Sequence, residues 1–359
     1  RGILTLQDNC AVSNRLYVGN AAGSAGAVYQ RGGTMAHWCG SSSDGRIGMT
    51  GYGYYELGGG ILTNNGYCQV GRDPSGIGIL VMNGGKLVQN NGYGGDLTVS
   101  RGGTGVVDLV SGSYVSIPGM TLGGASDNGG ARGFAELTIE NDADATLGGT
   151  LLMADRTNMF ATVNLLGGRL TANLFNKATR YGSLAFLNFN GGTFRARAAG
   201  NLFGTGVNAL DGVTVYPGGA TIDATNLNVT ANANLRAPTG NGVASITIAP
   251  RGGYIGPPFV TITGGGGVGA TAIARFDSDS GFVTGITITS PGCDYTSVPT
   301  VQLSGGGTNL QTLVTGVTLA PNTSGGLTKL GNGTLTLTGT NTYGGATTLS
   351  AGTLKPTHA

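Results

Sequence analysis

Short stretches in which apolar and polar residues alternate follow one another along most of the chain, each bounded by glycine or asparagine. Val107/Leu109, Leu137/Ile139, Val163/Leu165 and Ala185/Leu187 are typical; a period of two places each pair on one face of a strand. The three- and four-residue spacing of an amphipathic helix is essentially absent. Glycine pairs punctuate the strands at Gly32-Gly33, Gly59-Gly60, Gly84-Gly85, Gly167-Gly168, Gly191-Gly192 and Gly218-Gly219. The steps are near 25 residues, or about twice that where a pair has degenerated, as around Gly112. A second marker keeps phase with the first: Tyr17-Val18-Gly19, Arg46-Ile47-Gly48, Gln69-Val70-Gly71, Leu97-Thr98-Val99 and Met120-Thr121-Leu122-Gly123.

Each unit therefore reads as strand, glycine-rich loop, strand, glycine-pair turn, strand. One such unit has nothing to cover its apolar face, so successive units must stack and share a core. The pattern predicts an all-β chain folded as a right-handed parallel β-helix, a solenoid. Its corners require positive φ, which glycine adopts freely and asparagine tolerates. Asn64-Asn65-Gly66 and Asn90-Asn91-Gly92 follow successive glycine pairs at one phase, where stacked amides would hydrogen-bond from coil to coil.

Between residues 238 and 310 the pattern changes. Ile246-Thr247-Ile248, Tyr254, Pro258, Val260, Ile262 and Gly264 recur as Ile286-Thr287-Ile288, Tyr295, Pro299, Val301, Leu303 and Gly305, a two-fold repeat of about 41 residues. The expected organisation is a β-helix over 1–237, a small β-module over 238–310, inserted in or flanking the solenoid, and a returning solenoid repeat over 311–359.

Composition narrows the function classes. Glycine supplies 71 of 359 residues, about three times ordinary usage, without the G-X-Y period of collagen. Charged residues are only 10%, and the formal charge is +2. Scattered, nearly balanced charges form no counterion-releasing patch, which excludes nucleic acid as the expected partner. No apolar run approaches the roughly 20 residues of a membrane helix, so membrane insertion is not expected. The chain opens on Arg1 without a signal peptide, as a processed piece of a larger precursor would.

Residues 325 to 355 read GGLTKLGNGTLTLTGTNTYGGATTLSAGTLK. Leu327, Thr328, Lys329, Gly331, Gly333 to Thr338, Gly339, Asn341 to Tyr343, Gly345 and Gly352 to Leu354 resemble the autotransporter-associated β-strand repeat of bacterial passenger domains. Pro291 to Gly307 is similar to a Gly-Tyr-Thr-Ser-x-Pro-Thr-Val repeat of large extracellular proteins, with Cys293 in place of a small residue. The resemblance implies a β-helical stalk, extracellular or at the cell surface, serving adhesion or structure. The translocator barrel of a true autotransporter is not among these residues, which leaves the export route open.

Catalytic chemistry on a β-helix needs paired carboxylates or a calcium site beside a basic residue. Asp73 and Asp155 are the nearest candidates, but they fall in coils that are not neighbours, each next to an arginine that would neutralise it. Gly92-Tyr93-Gly94-Gly95-Asp96 is a lone glycine-aspartate segment, whereas calcium-binding nonapeptides occur in tandem. His37 and His358 belong to no cluster. No catalytic residue, metal site or cofactor is expected. Tyr52, Tyr54, Tyr55, Tyr67 and Tyr93 are the candidates for contact with a glycan or host protein, against packing inside the coil. Among the cysteines, Gly2-Ile3-Leu4-Thr5 precedes Cys10 by the spacing at which Gly60-Ile61-Leu62-Thr63 precedes Cys68, and Cys39 lies midway. The three are expected at one corner of successive coils. Coils stacked about 4.8 Å apart fall within disulfide reach, leaving one of the three and Cys293 over.

The first strand, Gly2-Ile3-Leu4-Thr5-Leu6, and the last, Gly352-Thr353-Leu354, read as the same phase of the coil, and no capping helix precedes or follows. An uncapped solenoid exposes sheet edges and core. The expected function is a structural subunit of an extracellular fibre, assembled head-to-tail through these ends. The alternative is a monomeric adhesin stalk, and the least favoured reading is a polysaccharide-active enzyme.

Overall fold

The computed structural model describes residues 1–13, 15–37, 45–64, 66–89, 97–124, 133–178, 181–307 and 313–357. Three parallel sheets build a β-solenoid; the chain visits them in turn, once per coil, as far as Leu235–Arg236, and its last four strands alternate between the second and third. The first has ten strands, from Gly2–Leu6 to Leu235–Arg236; the second has eleven, from Ala11–Ser13 to Thr347–Leu349. The third begins as seven strands, from Tyr17–Val18 to Phe175–Lys177. A parallel bridge between Phe175 and Phe203 carries it on into Gly200–Asn201, Asn228–Ala231, Thr334–Leu337 and Thr353–Pro356.

Alternation along each strand becomes columns between coils. In the first sheet Val28, Tyr55, Leu80, Val107, Leu137, Val163, Leu187, Val213 and Leu235 are in register and point into one continuous core. Burying each such side chain contributes about 1.5–3 kcal/mol, so the stacked column supplies what no isolated coil has. After the third-sheet strands, Gly19, Gly48, Gly71 and Gly123 take left-handed φ between 66° and 79°. A Cβ on Gly71 would lie 1.9 Å from the Thr104 carbonyl oxygen, which is why this corner selects glycine. Ser100 and Ala154 hold the equivalent corner with φ of 58° and 53°.

The asparagine ladder differs from expectation. Asn64 is in register with Gln89 and folds its side chain back on Gly66, donating to its carbonyl at 2.8 Å. Gln89 Nε2 makes the link between coils, at 3.0 Å to the same carbonyl. Asn65, Asn90 and Asn91 lie outside the described residues.

The solenoid breaks after Leu235–Arg236 and resumes with Leu327–Leu330, which pairs directly with Ala220–Asp223 on the second sheet. Coil stacking thus continues across the insertion. The inserted chain is a duplication with exchanged strands. Phe259–Thr263 pairs antiparallel with its counterpart Thr300–Ser304 about the Thr261–Gln302 pair, 41 residues apart (302 − 261). Asn241–Ala249, the first strand of one half, pairs with Leu313–Pro321, the third of the other; Phe282–Ser290 pairs likewise with Thr271–Asp277. Tyr254 and Tyr295, equivalent in the repeat, are both buried in the module's own core with Val243, Val260 and Val283.

Candidate functional site

The module sits on the outer face of the first sheet. Strand Tyr52–Leu57 is buried along its whole length. Tyr55 points into the solenoid and donates to Gln30 Oε1 at 2.5 Å, whereas Tyr52 and Tyr54 point outward beneath the module. There they pack with Tyr29, Ile79 and Val106 against Ile255 and Ile273. The hydroxyls find partners within the interface: Tyr29 donates to the Ile255 carbonyl at 3.0 Å, Tyr52 to the Pro257 carbonyl at 2.9 Å, and Tyr54 to Glu56 Oε2 at 2.9 Å. Burial, and then the Glu56 charge, hold the Tyr54 hydroxyl well above the ordinary tyrosine range. Arg31 ties this end shut, pairing with Glu56 at 3.2 Å and with Asp279 of the module at 2.8 Å.

Farther along the same face the interface turns polar. Asp108, Thr138, Asn164 and Asn188 occupy one outward column on successive coils, and Glu136 stands beside it. Arg275 of the module donates to Asp108 Oδ2 at 2.7 Å, to Glu140, and to Thr287 Oγ1 at 2.8 Å. Glu136 Oε1 accepts from Thr289 Oγ1 at 2.6 Å, Asn164 Nδ2 at 2.8 Å and Thr138 Oγ1 at 3.2 Å. Asn188 donates to Asn164 Oδ1 at 2.8 Å, extending the ladder by another coil. Among the described residues, Asp108 Oδ1 and Glu136 Oε2 are buried without a hydrogen-bond partner. Burial raises both carboxyls, Glu136 to about 7, while Arg275 pulls Asp108 partly back.

Beside this ladder lies a groove of about 480 Å³, floored by Phe134, Phe160 and Phe186 and walled by Phe259 and Tyr295. Phe134 and Phe160 stack with centroids 5.7 Å apart, and Phe134 meets Phe259 at 5.0 Å. It is the apolar interface continued to where the module ends.

The tyrosines proposed for ligand contact are therefore mostly occupied. Tyr52 and Tyr54 are covered by the module and Tyr55 is core, so exposed contact through them is corrected; Tyr67 is 48% exposed, and Tyr93 lies outside the described residues. The cysteine column is corrected too. Gly2–Leu6 belongs to the first sheet and Ile61–Asn64 to the second, so their similar residues do not share a phase. Cys10 precedes a second-sheet strand as an exposed free thiol, whereas Cys68 opens a third-sheet strand and is buried. Cys39 lies outside the described residues, and Cys293 is a half-buried thiol 3.9 Å from the Tyr216 hydroxyl. Asp73 pairs with its neighbour Arg72 at 3.2 Å. Two other third-sheet strands, Leu97–Val99 and Met120–Leu122, separate its coil from that of Asp155. No group of three or more metal-ligating side chains occurs among the described residues, and no described helix is long and apolar enough to cross a membrane.

The two end strands also differ in phase from the sequence reading. Gly2, Ile3, Leu4, Thr5 and Leu6 lead the first sheet, while Gly352, Thr353 and Leu354 mark the last strand of the third. In the final coils Lys329 is fully buried, its ammonium donating to the carbonyls of Gly331, Gly333 and, at 2.8 Å, Ala351 of the next coil. A Cβ on Gly352 would lie 2.4 Å from that nitrogen. The lysine and glycine of the C-terminal motif thus form one lock between coils.

The passenger-associated-transport-repeat family matches residues 327–355, the segment built around this lock. Searches of curated proteins and of solved structures gave no match. A passenger-associated repeat that continues the parallel solenoid through its last coils supports an autotransporter passenger-type β-helix repeat over residues 327–355.

Proposed function

We propose that the chain is a structural segment of a surface-displayed or extracellular stalk, extended by sheet-edge pairing with a second copy of itself. The carrying observation is that, among the described residues, the first and last strands of the solenoid each pair on one side only. Gly2–Leu6 has a neighbour on one side only, with Ile3 54% and Leu4 41% exposed; Thr347–Leu349 closes the second sheet at the other end, with Leu349 50% exposed. Such edges pair with further strands unless charge or a cap prevents it. From Tyr17–Val18 to Leu235–Arg236 a first-sheet strand follows each third-sheet strand, and on that phase a copy stacked beyond Thr353–Pro356 enters on its own Gly2–Leu6. The contact is heterologous and does not close, as a filament requires.

Sedimentation velocity over rising concentration tests this. The expected result is a growing series of oligomers for the wild type and a single species for Leu4→Lys with Leu349→Lys. A wild type that stays monomeric throughout overturns the assembly. It would favour the adhesin stalk, for which the exposed Tyr67 and the aromatic groove are the available surfaces.

A further inference from the structure

The polar end of the interface has an excess of acid. Asp108, Glu136 and Glu140 approach the module there, and the cation within reach of Asp108 and Glu140 is Arg275. The groups against Glu136 are the neutral donors Thr138, Asn164 and Thr289, with Thr271 beside them. Two carboxylate oxygens are sealed without partners, one on each of Asp108 and Glu136. A buried carboxylate oxygen that accepts no hydrogen bond is unfavourable when ionised and is relieved by a proton. Undocking would return all three carboxyls to water.

We propose that Asp108 and Glu136 make the seating of the module proton-dependent, so that the module takes up protons on docking and loosens as pH rises. Carboxyls free in water titrate near pH 4, and in the docked state burial raises both, Glu136 to about 7. A group raised in the docked state binds more protons there, so docking weakens as pH climbs from about 4 through 7. Its stabilisation is complete below that window and lost above it. Burial outweighs the lowering by Arg275 and lifts Asp108, like Glu136, to about 7, so both carboxyls carry the response. The direction is the reverse of ordinary acid release. Glu56, Arg31 and Asp279 form the other polar cluster of the interface, where each acid lies near the cation.

Hydroxyl-radical footprinting read by mass spectrometry, at about pH 5.5 and about pH 8.5, reports side-chain exposure directly. The expected result for the wild-type chain is a several-fold rise in labelling of Tyr52, Tyr54 and Phe259 at the higher pH, with Tyr55 and Phe194 unchanged. Glu136→Gln with Asp108→Asn should keep Tyr52 and Tyr54 protected at both pH values. Flat labelling in the wild type overturns the proposal, as does an equal rise in the double variant. A rise shared by Tyr55 and Phe194 would place the opening in the solenoid and overturn it too.

Discussion

Replacing Lys329 with methionine is expected to unfasten the last coils of the solenoid. The methionine fills similar volume, so what is lost is the ammonium that binds the carbonyls of Gly331, Gly333 and Ala351. Each buried acceptor left unsatisfied costs about 1–3 kcal/mol, and the loss should total about 3 kcal/mol or more. It falls on a local element, because Thr347–Leu349 and Thr353–Pro356 each pair on one side only. Hydrogen exchange followed by mass spectrometry should therefore show deprotection of residues 327–357, with Met159–Leu165 as protected as before. Unchanged exchange at both places would mean that Lys329 is not the lock between coils. The same contact explains why the motif needs glycine at position 352, where the Nζ atom leaves no space for a side chain.

Arg275→Met should release the module from the first sheet. Arg275 is the shared partner of Asp108 and Glu140 across the interface, and Thr287 steadies it from within the module. Breaking a buried pair by removing one member costs about 3–5 kcal/mol, because the other charge stays buried and alone. Here two carboxylates lose their cation beside Glu136. Limited proteolysis of the segments that join the module to the solenoid should accelerate markedly near neutral pH, and the effect should shrink in acid, where protonation relieves the stranded carboxyls. Cleavage as slow as in the wild type at neutral pH would show that apolar contacts alone seat the module.

The solenoid was legible because its cause is local. Inward alternation and glycine at left-handed corners are imposed coil by coil, and Val107, Leu137 and Val163 occupy the core column that their spacing predicts. The exchanged-strand duplication was half legible: a 41-residue repeat is visible in residues such as Tyr254 and Tyr295, but which half pairs with which is not. The cysteine column failed for a physical reason. A coil has three strands of similar composition, so Gly2-Ile3-Leu4-Thr5 and Gly60-Ile61-Leu62-Thr63 look alike while lying on different sheets.

The docked face was missed although it left a signal. Tyr52, Tyr54, Ile77, Ile79 and Val106 are apolar at outward positions, making those strands apolar on both faces, as strands covered on both sides are. Tyr52 and Tyr54 are candidates for ligand contact or for packing inside the coil by sequence, and their partner is the chain's own module. The polar ladder left none. Arg275 and Asp108 stand 167 residues apart, and only the folding of the module onto the coils brings them together.

Coil-on-coil register governs every one of these contacts, and a disulfide between adjacent coils reads it directly. Thr98 and Thr121 are register partners on the third sheet, both half-buried. Neighbouring parallel strands bring their Cα atoms to about 4.8 Å, inside disulfide range. Thr98→Cys with Thr121→Cys should form a bond on mild oxidation, found as a single cross-linked peptide pair, whereas Thr98→Cys with Leu152→Cys, separated by an intervening strand, should not. A bond in the second pair without one in the first would contradict the parallel solenoid described here.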